Sequence, residues 1–224
     1  MMTKPAAEAG KPKPRWKRRK EARPGEIEAA ALDLFVERGF AATKLEDVAR
    51  RAGVTKGTMY LYFDSKEALF KAVIRGAMLP LFERGEQLVD SHRGTARQLL
   101  SDFVRGWWKS IGESRVSGLP KLIMAEATNF PELARFYHEE VVSRGRRLFA
   151  RVIERGVASG EFRAVDTPYA LRVLGFSVIF AAIWKHSIGV CEPEPFDFER
   201  YLDAHIDLAL NGLLVRSGEE PAHA

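Results

Sequence analysis

The chain is 224 residues long, 46% hydrophobic and 29% charged, the make-up of a soluble globular protein of one or two domains with room for a sizeable core. A single cysteine, Cys191, excludes an intrachain disulfide, and residues 1–23 lack the apolar run of a signal peptide, so a reducing cytoplasm is the expected compartment. The most apolar stretch, Val173 to Trp184, is interrupted by Gly175 and Ser177 and falls short of the ~20 residues that cross a bilayer, which predicts a buried helix and no membrane partner.

The net charge of +5 is unevenly placed. Residues 1–23 carry nine basic side chains, from Lys4 to Arg23, against Glu8 and Glu21; that balance of +7 leaves −2 for residues 24–224. With Pro5, Pro12 and Pro14 and no hydrophobic period, residues 1–23 are predicted to form a disordered arm with a polyanionic partner. Ahead of a DNA-binding domain, such an arm would lie over phosphates or in the minor groove. A solubilising leader is the other reading.

A first helix is expected from about Pro24 to Arg38, burying Ile27, Ala30, Ala31, Leu34 and Phe35 and stopped by Gly39. Thr43 precedes Glu46 by three residues, the capping-box spacing, which predicts a second helix starting at Thr43. Leu45, Val48, Ala49 and Ala52 then follow a 3.6-residue period. Gly53 tolerates positive φ and lets the chain turn sharply, and Thr55 can cap a short third helix through Tyr60. The pattern is that of a helix-turn-helix.

A major groove about 12 Å wide admits one helix, whose first turn must offer small or hydrogen-bonding side chains to base edges. Lys56 can donate to guanine O6 or N7, Thr58 can bond a base or phosphate, and Gly57 lets the backbone approach closely. Tyr60, Tyr62 and Lys66 are expected phosphate clamps, fixing register without reading sequence. Thr43, Lys44 and Thr55, at the two helix starts, complete the candidate DNA-contacting set. From spacing alone the tyrosines read equally as packing residues, since glycine-turned helix pairs also occur in proteins that bind no DNA.

Residues 27–71 resemble the N-terminal domain of the TetR (tetracycline-repressor-like) family. The matching stretches are Ala30-Ala31, Leu34-Phe35, Glu37-Arg38-Gly39-Phe40, Thr43, Val48-Ala49, Ala52-Gly53-Val54, Gly57-Thr58, Tyr60, Tyr62-Phe63 and Ser65-Lys66-Glu67. The rest of the chain agrees with that family in length and helical character. The resemblance implies an all-α fold and a homodimer acting on operator DNA.

Asp64 and Ser65 can cap a fourth helix that leaves the reader domain, and Pro80 shortly after Gly76 places the domain boundary near 75–80. Residues 24–75 are thus the DNA-binding domain and 76–224 a helical ligand-binding and dimerisation domain. Helix punctuation recurs at Gly94-Thr95, Gly118-Leu119-Pro120, Pro131, Gly160, Thr167-Pro168 and Pro193 to Asp197, giving about nine helices in all. The last two long helices carry more apolar residues than one stripe needs, which predicts a four-helix-bundle dimer interface.

A hydrophobic effector would be lined by large apolar side chains, for which Trp107, Met124, Phe136, Phe180 and Trp184 are the candidates. Catalysis finds no support. His138-Glu139-Glu140 lacks the second histidine of a zinc-protease motif, His186 and Cys191 lack two further ligands, and no phosphate loop or nucleophile elbow occurs. No enzyme activity, metal site or cofactor is expected. The function expected is a ligand-responsive repressor on a palindromic operator; the alternatives are a DNA-binding regulator without an effector and a helical module that has lost DNA binding.

Overall fold

The computed structural model describes residues 15–215. Among them lie ten α-helices: α1 (Arg15–Arg38), α2 (Leu45–Arg51), α3 (Lys56–Tyr60), α4 (Lys66–Ser91), α5 (Ala96–Trp107), α6 (Leu119–Glu126), α7 (Pro131–Tyr137), α8 (Ser143–Ala158), α9 (Thr167–Lys185) and α10 (Phe198–Leu213). A π turn, His138–Val142, joins α7 and α8 into one run, so nine separate rods result, as the punctuation predicts. The extended pairing among the described residues is a single antiparallel bridge, Phe162 to Leu214.

Five of the ten α-helix starts are local side-chain chemistry. Thr55, Ser65, Thr95, Asp166 and Asp197 each accept a hydrogen bond from the backbone N–H three residues on, satisfying a donor the helix itself leaves free. Gly39 and Gly53 stand at φ 88° and 65°, a region costly for any residue with a Cβ, and so end α1 and α2 sharply enough to build the helix-turn-helix.

Three expectations change. The chain is already helical at Arg15 and runs unbroken into α1, so α1 begins before Pro24 and the last part of the basic segment is not disordered. Residues 1–14 of the expected arm lie outside the described residues. The second helix starts at Leu45 rather than Thr43: Lys44 is the N-cap residue and gives no side-chain cap. Finally, α4 does not break at Pro80 but continues for 26 residues. The carbonyl that a proline deprives of its partner, that of Gly76, lies on the exposed side of the helix, where water can serve it, while Ile74, Met78 and Phe82 stay buried on the other.

One apolar core runs from α1 to α10. α1 lies along α4, and α8 packs on α4, α5 and α9, with Val152 and Ile153 fully buried. At the junction of reader and body, the Phe40 ring sits against Phe35, Phe70 and Phe130 with centroids 4.9–5.5 Å away. Burial of one such ring is worth about 1.5–3 kcal/mol, so the reader is packed onto the body as well as tethered to it.

Candidate nucleic-acid interface

α3 presents two different sides. Met59 is fully buried against the domain core, while Lys56, Gly57 and Tyr60 face outward. Thr55 Oγ1 accepts from the Thr58 N–H at 3.1 Å and lies 2.9 Å from the Thr58 hydroxyl, which holds the first turn open at a fixed angle. Lys44 and Thr55 are exposed at the two helix starts, and Tyr62 is half-buried. Thr55, Lys56, Gly57, Thr58, Tyr60 and Tyr62 thus lie on or beside one short helix, with Lys44 exposed at the start of α2.

Lys56 does not stand alone there. Its Nζ is 2.6 Å from Glu46 Oε1 on α2 and 5.8 Å from the Tyr60 ring centroid. The hydrogen bond from Lys56, helped by its charge, holds the Glu46 carboxyl below the usual carboxylate range and raises the lysine in turn. Glu46, expected to close a capping box on Thr43, instead aims the lysine. Both groups are exposed, so the pair is weak and readily exchanged for a base or phosphate.

Two expected contacts are placed differently. Thr43 is 1% exposed; its hydroxyl donates to Gly39 O at 2.7 Å, with Leu34 O at 3.2 Å, so it locks the α1–α2 turn from inside. Lys66 donates to Phe40 O at 2.7 Å and Ala41 O at 3.1 Å, with its Nζ 4.4 Å from the Phe40 ring centroid. Burial lowers its pKa. Its ammonium braces the 40–41 corner instead of standing out as a phosphate clamp. Neither assignment is legible from spacing, because the partners come from α1 and the turn after it.

A second bridge joins reader and body. Glu126 Oε1, at the end of α6, accepts from the Ala41 N–H at 3.0 Å. Arg115 pairs with Asp33 of α1, and beside it Gly118 lies so close to Val36 that a Cβ there would fall 2.4 Å from Val36 Cγ1. The same corner is held from behind: Lys185 Nζ donates to Gly112 O at 2.9 Å, and His186 Nε2 lies 2.7 Å from Ser117 Oγ.

The expected effector residues are spread over α5, α6, α7 and α9. Phe136 is buried with the Lys71 ammonium and Arg75 guanidinium 5.5 and 5.0 Å from its ring centroid. Met124 is 59% exposed, and Trp107 is half-buried at the start of a π turn, Trp108–Gly112. Phe180 and Trp184 do meet, with centroids 5.7 Å apart. A small cavity beside Phe40, Phe70 and Phe130 holds about 10 Å³, room for one water. An open groove of about 520 Å³ runs past Phe176, Ser177, Phe180 and Tyr201 on the outer side of α9 and α10. Neither space collects Trp107, Met124 and Phe136. Aromatic composition identifies core residues and pocket residues alike, which is why the sequence could not separate them.

That outer side is strongly apolar. Val173 is 71% and Leu208 72% exposed, with Phe176 and Phe180 between. By length and composition α9 could cross a membrane, at mean hydropathy 1.4, but its inner face packs on α8 and α10.

A family model described as bacterial regulatory proteins of the tetR family matches residues 27–73, and one described as a tetracyclin repressor-like C-terminal domain matches residues 90–190. The chain is 32% identical over 167 residues to the HTH-type transcriptional repressor KstR2 of Rhodococcus jostii, covering 74% of this chain and 80% of that protein. Against KstR2 of Mycolicibacterium smegmatis it is 25% identical over 199 residues, 88% and 93% of the two chains. The solved ketosteroid transcriptional regulator KstR2 of Mycobacterium tuberculosis superposes at TM-score 0.68 with 25% identity, covering 87% of this chain and 96% of that one. FadR from Bacillus subtilis, solved in complex with stearoyl-CoA, gives TM-score 0.71 at 21% identity over 84% and 98%, a likeness of fold alone.

Proposed function

The chain belongs to the TetR family of bacterial transcriptional regulators, and from that premise we propose a homodimeric repressor that seats one α3 in each half of a palindromic operator and is released by a hydrophobic effector. The observation that carries the reading is α3 itself: a helix anchored by Met59 whose opposite side offers Lys56, Gly57 and Thr58, flanked by Lys44, Thr55, Tyr60 and Tyr62. Base edges are read from such a first turn, and phosphates are clamped beside it.

The bare apolar side of α9 and α10 supports a second copy as its cover, since two such helix pairs close a four-helix bundle by isologous contact. The chain then works in the cytoplasm beside its operator, as a binding protein with no catalytic step, metal or cofactor. For the effector, the likeness to the ketosteroid transcriptional regulator KstR2, 25% identical over most of both chains, supports a steroid-derived molecule. The small cavity beside Phe40, Phe70 and Phe130 takes no more than a water, so an effector seated there would have to open the packing around it.

The test is a pair of titrations. The operator is first selected by the full-length protein from genomic fragments. Stearoyl-CoA and a steroid-derived CoA thioester are then titrated into free and operator-bound protein. Reciprocity requires operator to weaken the effector by the same factor by which effector weakens operator, about 5–150-fold. Equal affinities in the two titrations would leave a constitutive DNA-binding regulator.

A further inference from the structure

Gly57 has no internal reason to be glycine. Its φ is not in the left-handed region, and the nearest atom to a Cβ built on it is Thr55 Oγ1 at 3.9 Å. Alanine would fit and would favour the helix by about 1 kcal/mol. Four residues on, the Leu61 N–H closes the last turn onto Gly57 O at 3.2 Å, and Leu61 itself keeps helical angles, φ −71° and ψ −21°. Residues four apart share a helix face, and side chains lean toward the N-terminus, so the leucine stands over the bare backbone of Gly57. Leu61 is 81% exposed, while Met59, on the opposite side, is fully buried.

A lone exposed leucine on a protein surface is ordinary. This one shares its face with the missing side chain of Gly57 and the hydroxyl and methyl of Thr58, and that face carries the DNA-reading surface. The apolar feature that a major groove offers is the C5-methyl of thymine. We propose that Leu61 is a specificity-determining residue: it reads the methyl of one thymine in each half-site, and Gly57 is the gap that lets that base edge close on the helix. The assignment rests on the DNA-binding reading of α3 and adds a base identity to it.

Replacing thymine by deoxyuridine removes the methyl and leaves every hydrogen-bonding group in place. The full-length protein selects a duplex from a randomised library, and each thymine of that duplex is replaced in turn. One symmetric pair of positions should lose about three- to fivefold in affinity per half-site, the value of one buried methyl group. Leu61→Ala should bind the parent duplex more weakly and be indifferent to uracil at those positions. Gly57→Ala should keep or raise the melting temperature and yet bind at least tenfold more weakly. Uracil sensitivity that is absent, or equal in wild type and Leu61→Ala, overturns the assignment. So does a Gly57→Ala protein that is less stable with unchanged affinity, since the glycine is then structural. Failure to select any duplex overturns the DNA-binding reading itself and is distinct from both.

Discussion

At the scale of single residues, the same residue types take opposite roles within one short span. Thr55 caps α3 outside, while Thr43 is sealed within the α1–α2 turn; Lys56 is exposed, while Lys66 is tied to two carbonyls. Lys56→Ala should relax preference at one base pair of each half-site at a cost of about 1–3 kcal/mol, whereas Tyr62→Phe should weaken all sequences alike. Binding to a panel of operator variants measures both, and an unchanged preference profile for Lys56→Ala removes it from base reading. Two histidines predict the response to acid. Burial lowers the pKa of His205, beside Ser177 between α9 and α10, and burial with Lys185 and Lys121 nearby lowers that of His186. The unfolded chain therefore takes up protons first on acidification, so their contribution is present above the ordinary histidine value near 6.5 and is lost as pH falls from there through the lower pKa of each folded histidine. Urea unfolding at about pH 7.5 and about pH 5.5 should show stability falling with acid, and His205→Gln should lessen the fall. A pH response identical to wild type would mean that His205 is equally protonated in both states.

At the scale of elements, α4 is not the whole connection between reader and body. Glu126 of α6 holds the 39–41 corner, and the 115–118 corner rests on α1 through Arg115 and Gly118. Because His186 holds Ser117 of that second corner, and Lys185 holds Gly112 just before it, from the end of α9, a shift of α9 can reach α1 without passing along α4. Gly118→Ala drives a Cβ onto Val36, with contacts of 2.4, 3.0 and 3.2 Å to its Cγ1, Cγ2 and Cβ. Valine is stiff at χ1 and cannot rotate clear, so the variant should lose about 1–3 kcal/mol of stability. It should also lower the factor by which effector releases operator, measured by the paired titrations. Full stability in the urea midpoint would show that α1 yields at no cost.

At the scale of the whole molecule, the proposed dimer closes over the bare apolar side of α9 and α10. Val173→Glu places a charge where 71% of the residue is exposed in the single chain, so folding should survive and pairing should not. Sedimentation should report a monomer with wild-type helicity, and operator affinity should fall because two half-sites are no longer held together. A dimer that persists would move the interface elsewhere.

Much of this was legible one helix at a time. The glycine stops at 39 and 53, the caps at Thr55, Ser65 and Thr95, and the apolar stripe of α2 depend on groups within four residues of each other, and such spacing is written directly in the chain. So are the helix-turn-helix, the all-α class and the excess apolar surface of the last two helices. What faced each helix was not. Lys66 meets Phe40 across 26 residues and Glu126 meets Ala41 across 85; Glu46 turns from Thr43 to Lys56; Pro80 is carried through by burial on the far side of α4. Periodicity tells that a face is buried or polar. Only the packed structure supplies the partner, because distant elements must first be brought together before a carbonyl, a carboxylate or an aromatic ring can claim a side chain.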